Sequence, residues 1–215
     1  MLSFHHVFKR YASGDALLDV NFQLNKGEIV FLTGHSGAGK STVLRLVSIM
    51  ERCSRGQIIF DGRNLCHLQE SDIPALRRKL GLIFQDYKLL PDRSVFENVA
   101  LPLRISGVDS HELPRKVRAA LDKVGLLKKE KQTPLSLSAG EQQRVGIARA
   151  IVNKPTLILA DEPTGNLDPE LSQDIFRLFE QFQQVGVTIL IATHETELVT
   201  ETRHKVLQLH QGRLV

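Results

Sequence analysis

Gly34-His35-Ser36-Gly37-Ala38-Gly39-Lys40-Ser41-Thr42 fits the pattern G-x-x-x-x-G-K-[ST], and its flanks have the form that pattern needs in order to act. Ile29-Val30-Phe31-Leu32 before it is an apolar run of strand length, while Val43, Leu46, Val47 and Met50 after it recur at helical spacing. Strand, glycine-rich loop and helix in that order make a phosphate cradle. The glycines let backbone N–H groups approach without a Cβ in the way, and the helix start adds unpaired N–H groups and about half a positive charge. In this reading residues 34–42 wrap a nucleotide's phosphates, Lys40 reaches the β/γ-phosphates, and the Ser41 hydroxyl holds Mg²⁺. A glycine-rich surface turn with a chance lysine would match the four fixed positions in roughly one chain in a hundred of this length.

The whole chain sets bounds on what surrounds that loop. Its 215 residues suffice for one good core, or a core with a smaller lobe, and fall short of two nucleotide-binding units. A hydrophobic share of 42% with 24% charge reads as a soluble globular protein, and no apolar run approaches the roughly 18 residues of a membrane span. Met1-Leu2-Ser3-Phe4-His5-His6 lacks the layout of a secretion signal, so the expected compartment is the cytosol. Cys53 and Cys66 have neither the number nor the spacing of a zinc site or a disulfide framework, and free thiols are expected. A net charge of +4 comes without a block of five or six like charges. Arg77-Arg78-Lys79 and Lys128-Lys129-Glu130-Lys131 carry no interleaved aromatics for base stacking, so no nucleic-acid partner is expected.

In chain order, short strands are expected over 4–11, 17–24 and 28–33, then 56–61 and 81–84. Helical spacing marks 72–80, 95–103, 112–124 and 140–152, so that a helical lobe is inserted into an α/β core. Strand signals return at 156–160 and 187–192, separated by an amphipathic helix over 173–185, and a last strand covers 205–209.

Three strands of the buried type deliver polar groups at their carboxyl ends: Gln85, Asp161-Glu162 and His194. Ligands collect at that edge of an open α/β sheet, where all three can face the phosphate loop. Asp161 is expected to hold Mg²⁺ and Glu162 to orient and deprotonate an attacking water. Ser138 and Gly140 open a further helix with no titratable catalyst at its tip, suited either to stabilising phosphate charge or to a serine cap closed by Glu141. Tyr11 is either an ordinary strand aromatic or a platform for a purine ring; stacking discriminates bases poorly, so ATP over GTP is the weaker inference.

With these positions in place, the chain resembles the ATP-binding-cassette (ABC) ATPases over nearly its whole length. Leu137-Ser138-Ala139-Gly140-Glu141 looks like the family's signature loop, Leu157 to Asp161 like its Walker B strand, and Glu162 like its catalytic glutamate. Gly165-Asn166-Leu167-Asp168 looks like the D-loop, His194 the switch histidine, Gln85 the Q-loop and Tyr11 the adenine-stacking aromatic. The resemblance implies an α/β P-loop cassette: a mostly parallel core sheet and an antiparallel N-terminal β subdomain (about 1–85 and 154–215), with an inserted helical lobe (about 86–153).

It further implies hydrolysis of ATP to ADP and phosphate, with Glu162, His194 and Lys40 as the catalytic set and Mg²⁺ held by Ser41, Gln85 and Asp161. Two copies would pair head to tail, each ATP lying between the Lys40 loop of one and the Ser138 and Gly140 helix start of the other. The pair would sit on the inner face of the cell membrane through an integral membrane partner, docked near Tyr87, Leu89, Leu90 and Phe96. Within the family, Thr33 to Thr42, Ile83-Phe84-Gln85-Asp86 and Asn98-Val99-Ala100 fit the bacterial cell-division group. Lipoprotein-releasing and macrolide-export ATPases share Asp161-Glu162-Pro163-Thr164-Gly165-Asn166-Leu167-Asp168, and an ATP-gated scaffold with little hydrolysis is the other alternative. Ala139 stands where the signature usually has a first glycine, and Glu141 where it often has glutamine; slower or weaker dimer closure is expected from them.

Overall fold

The computed structural model describes residues 1–195, 199 and 203–215. The first part of the chain runs β1 (Leu2–Tyr11), β2 (Gly14–Leu24), β3 (Ile29–Thr33), α1 (Lys40–Val47), β4 (Arg55–Phe60), β5 (Arg63–Asn64), α2 (Ile73–Arg77) and β6 (Leu80–Ile83). The rest runs α3 (Val95–Ile105), α4 (Leu113–Lys123), α5 (Ala139–Ile151), β7 (Leu157–Asp161), α6 (Pro169–Gln184), β8 (Thr188–Ala192), β9 (Lys205–His210) and β10 (Arg213–Leu214). One sheet, ordered β2-β1-β4-β5, is antiparallel; the other, ordered β10-β9-β3-β8-β7-β6, is parallel except at β10.

The parallel sheet serves two cores at once, and the period-two alternation of side chains decides which residue serves which. Phe31, Ile158, Ala160, Ile189 and Ile191 point into a core shared with α3, α4, α5 and α6. Their neighbours Val30, Leu32, Leu157, Leu159 and Leu190 point into a second core, shared with α1 and the antiparallel sheet. Register keeps like with like: Phe31 pairs with Ile191, Val30 with Leu190, and Ile158 with Ile189. Sheets covered on both faces need such continuous apolar runs.

Between β6 and β7 the chain makes α3, α4 and α5, joined through Val99, Leu103, Val117, Leu121, Val145 and Ala148. A capping box starts α3, with Ser94 and Glu97 each satisfying the other's backbone N–H. The buried Asn98 amide accepts from Leu90 N–H at 2.8 Å and donates to the carbonyls of Leu90 and Ser94, both at 3.0 Å, which closes the loop before the helix.

Three expectations meet a different outcome. The helix over 72–80 stops at Arg77, because Lys79 O accepts from Thr156 N–H at 2.9 Å and Leu80 already belongs to β6. The helix expected from residue 173 begins at Pro169, capped by Asp168, whose carboxylate accepts from Leu171 N–H at 2.9 Å. Cys53 and Cys66, expected as free thiols, are joined as a disulfide. The β4–β5 hairpin folds the chain back so that their Cα atoms lie 5.9 Å apart, inside the range a disulfide spans; two cysteines 13 residues apart carry no trace of that return in sequence.

Gly56 shows how closely the antiparallel sheet is fitted. Its φ is +96°, and a Cβ there would lie 2.1 Å from the carbonyl oxygen of His6, in the irregular stretch of β1. Gly56→Ala is therefore expected to cost about 3 kcal/mol, from strain and a backbone clash together. Thermal melting followed by circular dichroism should show a Tm lower by about 6–12 °C.

Candidate active site

The carboxyl ends of β3, β8, β7 and β6 lie side by side, and the loops leaving these strands meet at one cleft of about 490 Å³. His35, Ser36, Gly37, Gly39, Lys40, Ser41 and Thr42 form one wall, and Gln85, Glu162, His194 and Ala16 complete it. Gly34 and Ala38 lie behind that wall: Gly34 O accepts from Lys40 Nζ at 2.7 Å, and Ala38 is buried with its carbonyl accepting from Gly212 N–H. Gly39, the residue before α1, has φ +110°, and a Cβ on it would lie 2.7 Å from Ala16 O, so β2 is seated directly on the loop.

Lys40 Nζ also reaches His35 O at 3.3 Å and lies 3.5 Å from Glu162 Oε1. The two side chains are only 7% and 11% exposed, so their attraction is weakly screened. On its other oxygen, Glu162 accepts from the His194 backbone N–H at 3.1 Å and meets His194 Nδ1 at 2.8 Å. Lys40, Glu162 and His194 thus form one chain of polar contacts across the cleft. Glu162 itself sits at φ +47°, a conformation costing ~1–3 kcal/mol for a residue with a side chain. Its N–H extends the β7–β8 ladder by donating to Ala192 O at 2.8 Å.

Beside it, Ser41 Oγ donates to Asp161 Oδ1 at 3.1 Å. Burial pushes the Asp161 carboxyl up, and the neighbouring Glu162 charge adds to this; the Ser41 bond, Lys40 and Arg45 pull the other way. One hydroxyl and one carboxylate, both hard oxygen donors, therefore converge at the phosphate end of the cleft, as a site for Mg²⁺ requires.

Not every candidate lies in the cleft. Tyr11 ends β1 with its hydroxyl buried and without a hydrogen-bond partner among the described residues, and Lys9 Nζ lies 4.6 Å from its ring centroid. Ser138 caps α5: its hydroxyl accepts from Glu141 N–H at 3.3 Å, and Glu141 Oε2 accepts from Ser138 N–H at 3.1 Å. Both readings of that helix start are thus compatible, a capping box and an open tip. Ala139 is the first residue of α5 and takes helical backbone angles, which a methyl group tolerates. Glu141 is paired with Lys129, which holds its carboxyl below the usual range, aided by the Ser138 amide. A Cβ on Gly140 would meet the Leu171 side chain of α6 at 3.0 Å, so the two helices approach closely there.

Sequence reading missed the contacts that brace the loops around the cleft. Arg149 donates to Tyr87 O and Lys88 O, both at 2.6 Å, and these two residues have φ of +57° and +47°. Asn166 Nδ2 donates to Gln85 O at 3.0 Å, tying the loop after Glu162 to the end of β6. Thr164 Oγ1 donates to Glu195 Oε2 at 3.2 Å. Of the four apolar residues after Gln85, Leu89 and Phe96 pack on the lobe core, while Leu90 is exposed. A neighbouring groove of about 430 Å³, with Met50, Leu82, Phe84 and Lys88 in its walls, reaches Ser41 and Asp161 from the other side.

Comparison with known proteins bears on this arrangement. Residues 17–165 match the family model described as ABC transporter. Across its full length the chain is 55% identical to the cell division ATP-binding protein FtsE of Escherichia coli (strain K12), covering 97% of that protein. It is 42% identical to the protein of the same name in Bacillus subtilis (strain 168), covering 95% of it. Among solved structures, a dimeric post-hydrolysis state of an ATP-binding cassette bound to ADP and Pi superimposes with a TM-score of 0.90, at 31% identity, over 100% of this chain and 96% of that one. A cassette from Clostridium perfringens, cbiO1, gives 0.91 at 30% identity, over 100% of this chain and 86% of that one.

Proposed function

The chain belongs to the ABC transporter ATP-binding family and is an ATPase of that family, and from that premise we propose that it powers a membrane complex of bacterial cell division. It does so as a homodimer that closes on two ATP molecules and opens after their hydrolysis. The observation that carries this reading is the split of the machinery. Lys40, Ser41, Gln85, Glu162 and His194 line one cleft with Asp161 hydrogen-bonded to Ser41, whereas Ser138 lies outside it, at a solvent-exposed helix start.

Each residue then has a task set by its place. Lys40 and the backbone N–H groups of the loop residues that line the cleft, from Gly37 and Gly39 to Thr42, bind and orient the phosphates. Ser41, Asp161 and Gln85 hold Mg²⁺, which when bound neutralises phosphate charge. Glu162 takes a proton from the attacking water, and His194 keeps that carboxylate aimed through the 2.8 Å contact. Ser138 and Gly140 of the facing copy close over the phosphates, and Tyr11 supplies an apolar surface for the base.

Among the described residues no helix is long and apolar enough to cross a membrane. In this reading an integral membrane partner of the FtsX kind recruits the dimer to the cytoplasmic face. The groove beside Met50, Phe84 and Lys88, which opens onto Ser41 and Asp161, is where closure reaches that partner. Capture of the chain from detergent-solubilised membranes is expected to recover one integral membrane protein of the FtsX kind in near-equal amount. Recovery of a lipoprotein-releasing or macrolide-export subunit instead would reassign the complex, and recovery of neither would remove the membrane role.

A further inference from the structure

Gln143 lies on α5 with its side chain wholly buried. Its Nε2 donates to Pro163 O at 2.6 Å, while its Oε1 is buried with no hydrogen-bond partner among the described residues. An acceptor stranded in this way weakens the fold, and a methionine of similar volume would fill the space without stranding one. Packing therefore does not account for the amide; its donor does.

What the donor holds is the residue directly after Glu162. Glu162 is held at φ +47° by its own N–H on Ala192 O at 2.8 Å and, more loosely, by its carbonyl, which accepts from Gly165 N–H at 3.3 Å; the next peptide unit along sets the direction in which the chain leaves it. Pro163 has no N–H to offer, which leaves its carbonyl as the backbone handle, and Gln143 occupies it. Gln143 is also five residues along the same helix from Ser138, a rigid span of about 7.5 Å.

We propose that Gln143 is a positioning residue for Glu162, through which a shift of α5, engaged at Ser138 by the other copy's nucleotide, sets the carboxylate of its own cleft. This rests on the dimeric ATPase reading above. Closure at one site is then felt at the general base of the other by a direct chain of contacts: Ser138, α5, Gln143, Pro163, Glu162.

Steady-state ATP hydrolysis by the full chain, with fluorescent nucleotide titration and thermal melting alongside, tests this on Gln143→Met and Gln143→Glu. The methionine variant is expected to lose about tenfold or more in kcat with KM and nucleotide affinity within about twofold, since phosphate binding does not pass through Pro163. The glutamic acid variant, kept neutral by burial, carries an O–H donor in nearly the same place and is expected to recover most of that kcat. A methionine variant with kcat within twofold of wild type overturns the proposal. So does a glutamic acid variant no more active than the methionine one, or a loss shared equally by kcat, affinity and Tm, each of which marks a packing role. Wild-type chain without any turnover overturns the ATPase reading and this one together; active wild type with an active methionine variant overturns this one alone.

Discussion

Glu162→Gln is expected to abolish nearly all turnover while leaving ATP binding intact. Its carboxylate touches both Lys40 and His194, at 3.5 and 2.8 Å. Loss of a general base lowers rates by about 10²–10⁴-fold, or about 3–5 kcal/mol of barrier. The amide fills the same volume and still accepts from the His194 N–H, so the backbone at φ +47° keeps its hold. Removing a negative charge from beside the phosphates also removes repulsion, so ATP binds at least as well and the dimer accumulates. Phosphate release gives the rate, and size-exclusion chromatography with light scattering gives the mass with and without ATP. Turnover within tenfold of wild type would remove Glu162 from its role, and a persistent monomer with ATP would remove the dimer.

A second large effect comes from breaking the two halves of the site in different copies. Lys40→Ala removes the cation that holds the phosphates and is expected to weaken ATP binding by at least ~10²-fold. Ser138→Asp keeps a good helix cap but places a carboxylate where the facing copy's phosphates would come, so dimer closure and turnover fail while the fold survives. Each variant alone is then inactive. When they are mixed in equal amounts, half the dimers are mixed, and one of the two sites in each mixed dimer carries both intact halves. The chain that supplies the intact cleft itself carries Ser138→Asp, so the relay through Gln143 is broken there; recovery is expected below the quarter that independent sites would give and above roughly a fortieth, given the tenfold loss expected of Gln143→Met. No recovery would place both halves in one chain, against the position of Ser138 outside the cleft.

Much of this architecture is legible from residue order. Apolar runs at 29–32, 156–160 and 187–192 announced the buried parallel strands Ile29–Thr33, Leu157–Asp161 and Thr188–Ala192, each of which leads into the cleft. Local spacing also placed the cores of α1, α3, α4 and α5 to within a few residues, because the side chains that face the core recur with the period of the helix. It failed where a contact partner lies far away in sequence. Leu80 leaves the helical pattern for the sheet because Leu157 pairs with it, and the Cys53–Cys66 link exists because a hairpin turns back. The early start of α6 had a local cue in Asp168-Pro169, a cap followed by a first-turn proline, masked by the functional reading of Asp168.

What sequence alone determined is the chemistry: a lysine loop, two adjacent carboxylates and a histidine, each at the end of an apolar run, name the reagents because strand ends and helix starts are local properties. Tertiary structure alone decided how those reagents are aimed. The hydrogen bonds Gln143 to Pro163, Arg149 to Tyr87 and Lys88, and Asn166 to Gln85 join residues 20 to 81 positions apart. A directional bond of under 3.5 Å between such positions depends on how α5 lies against the sheet edge, which hydrophobic periodicity does not encode.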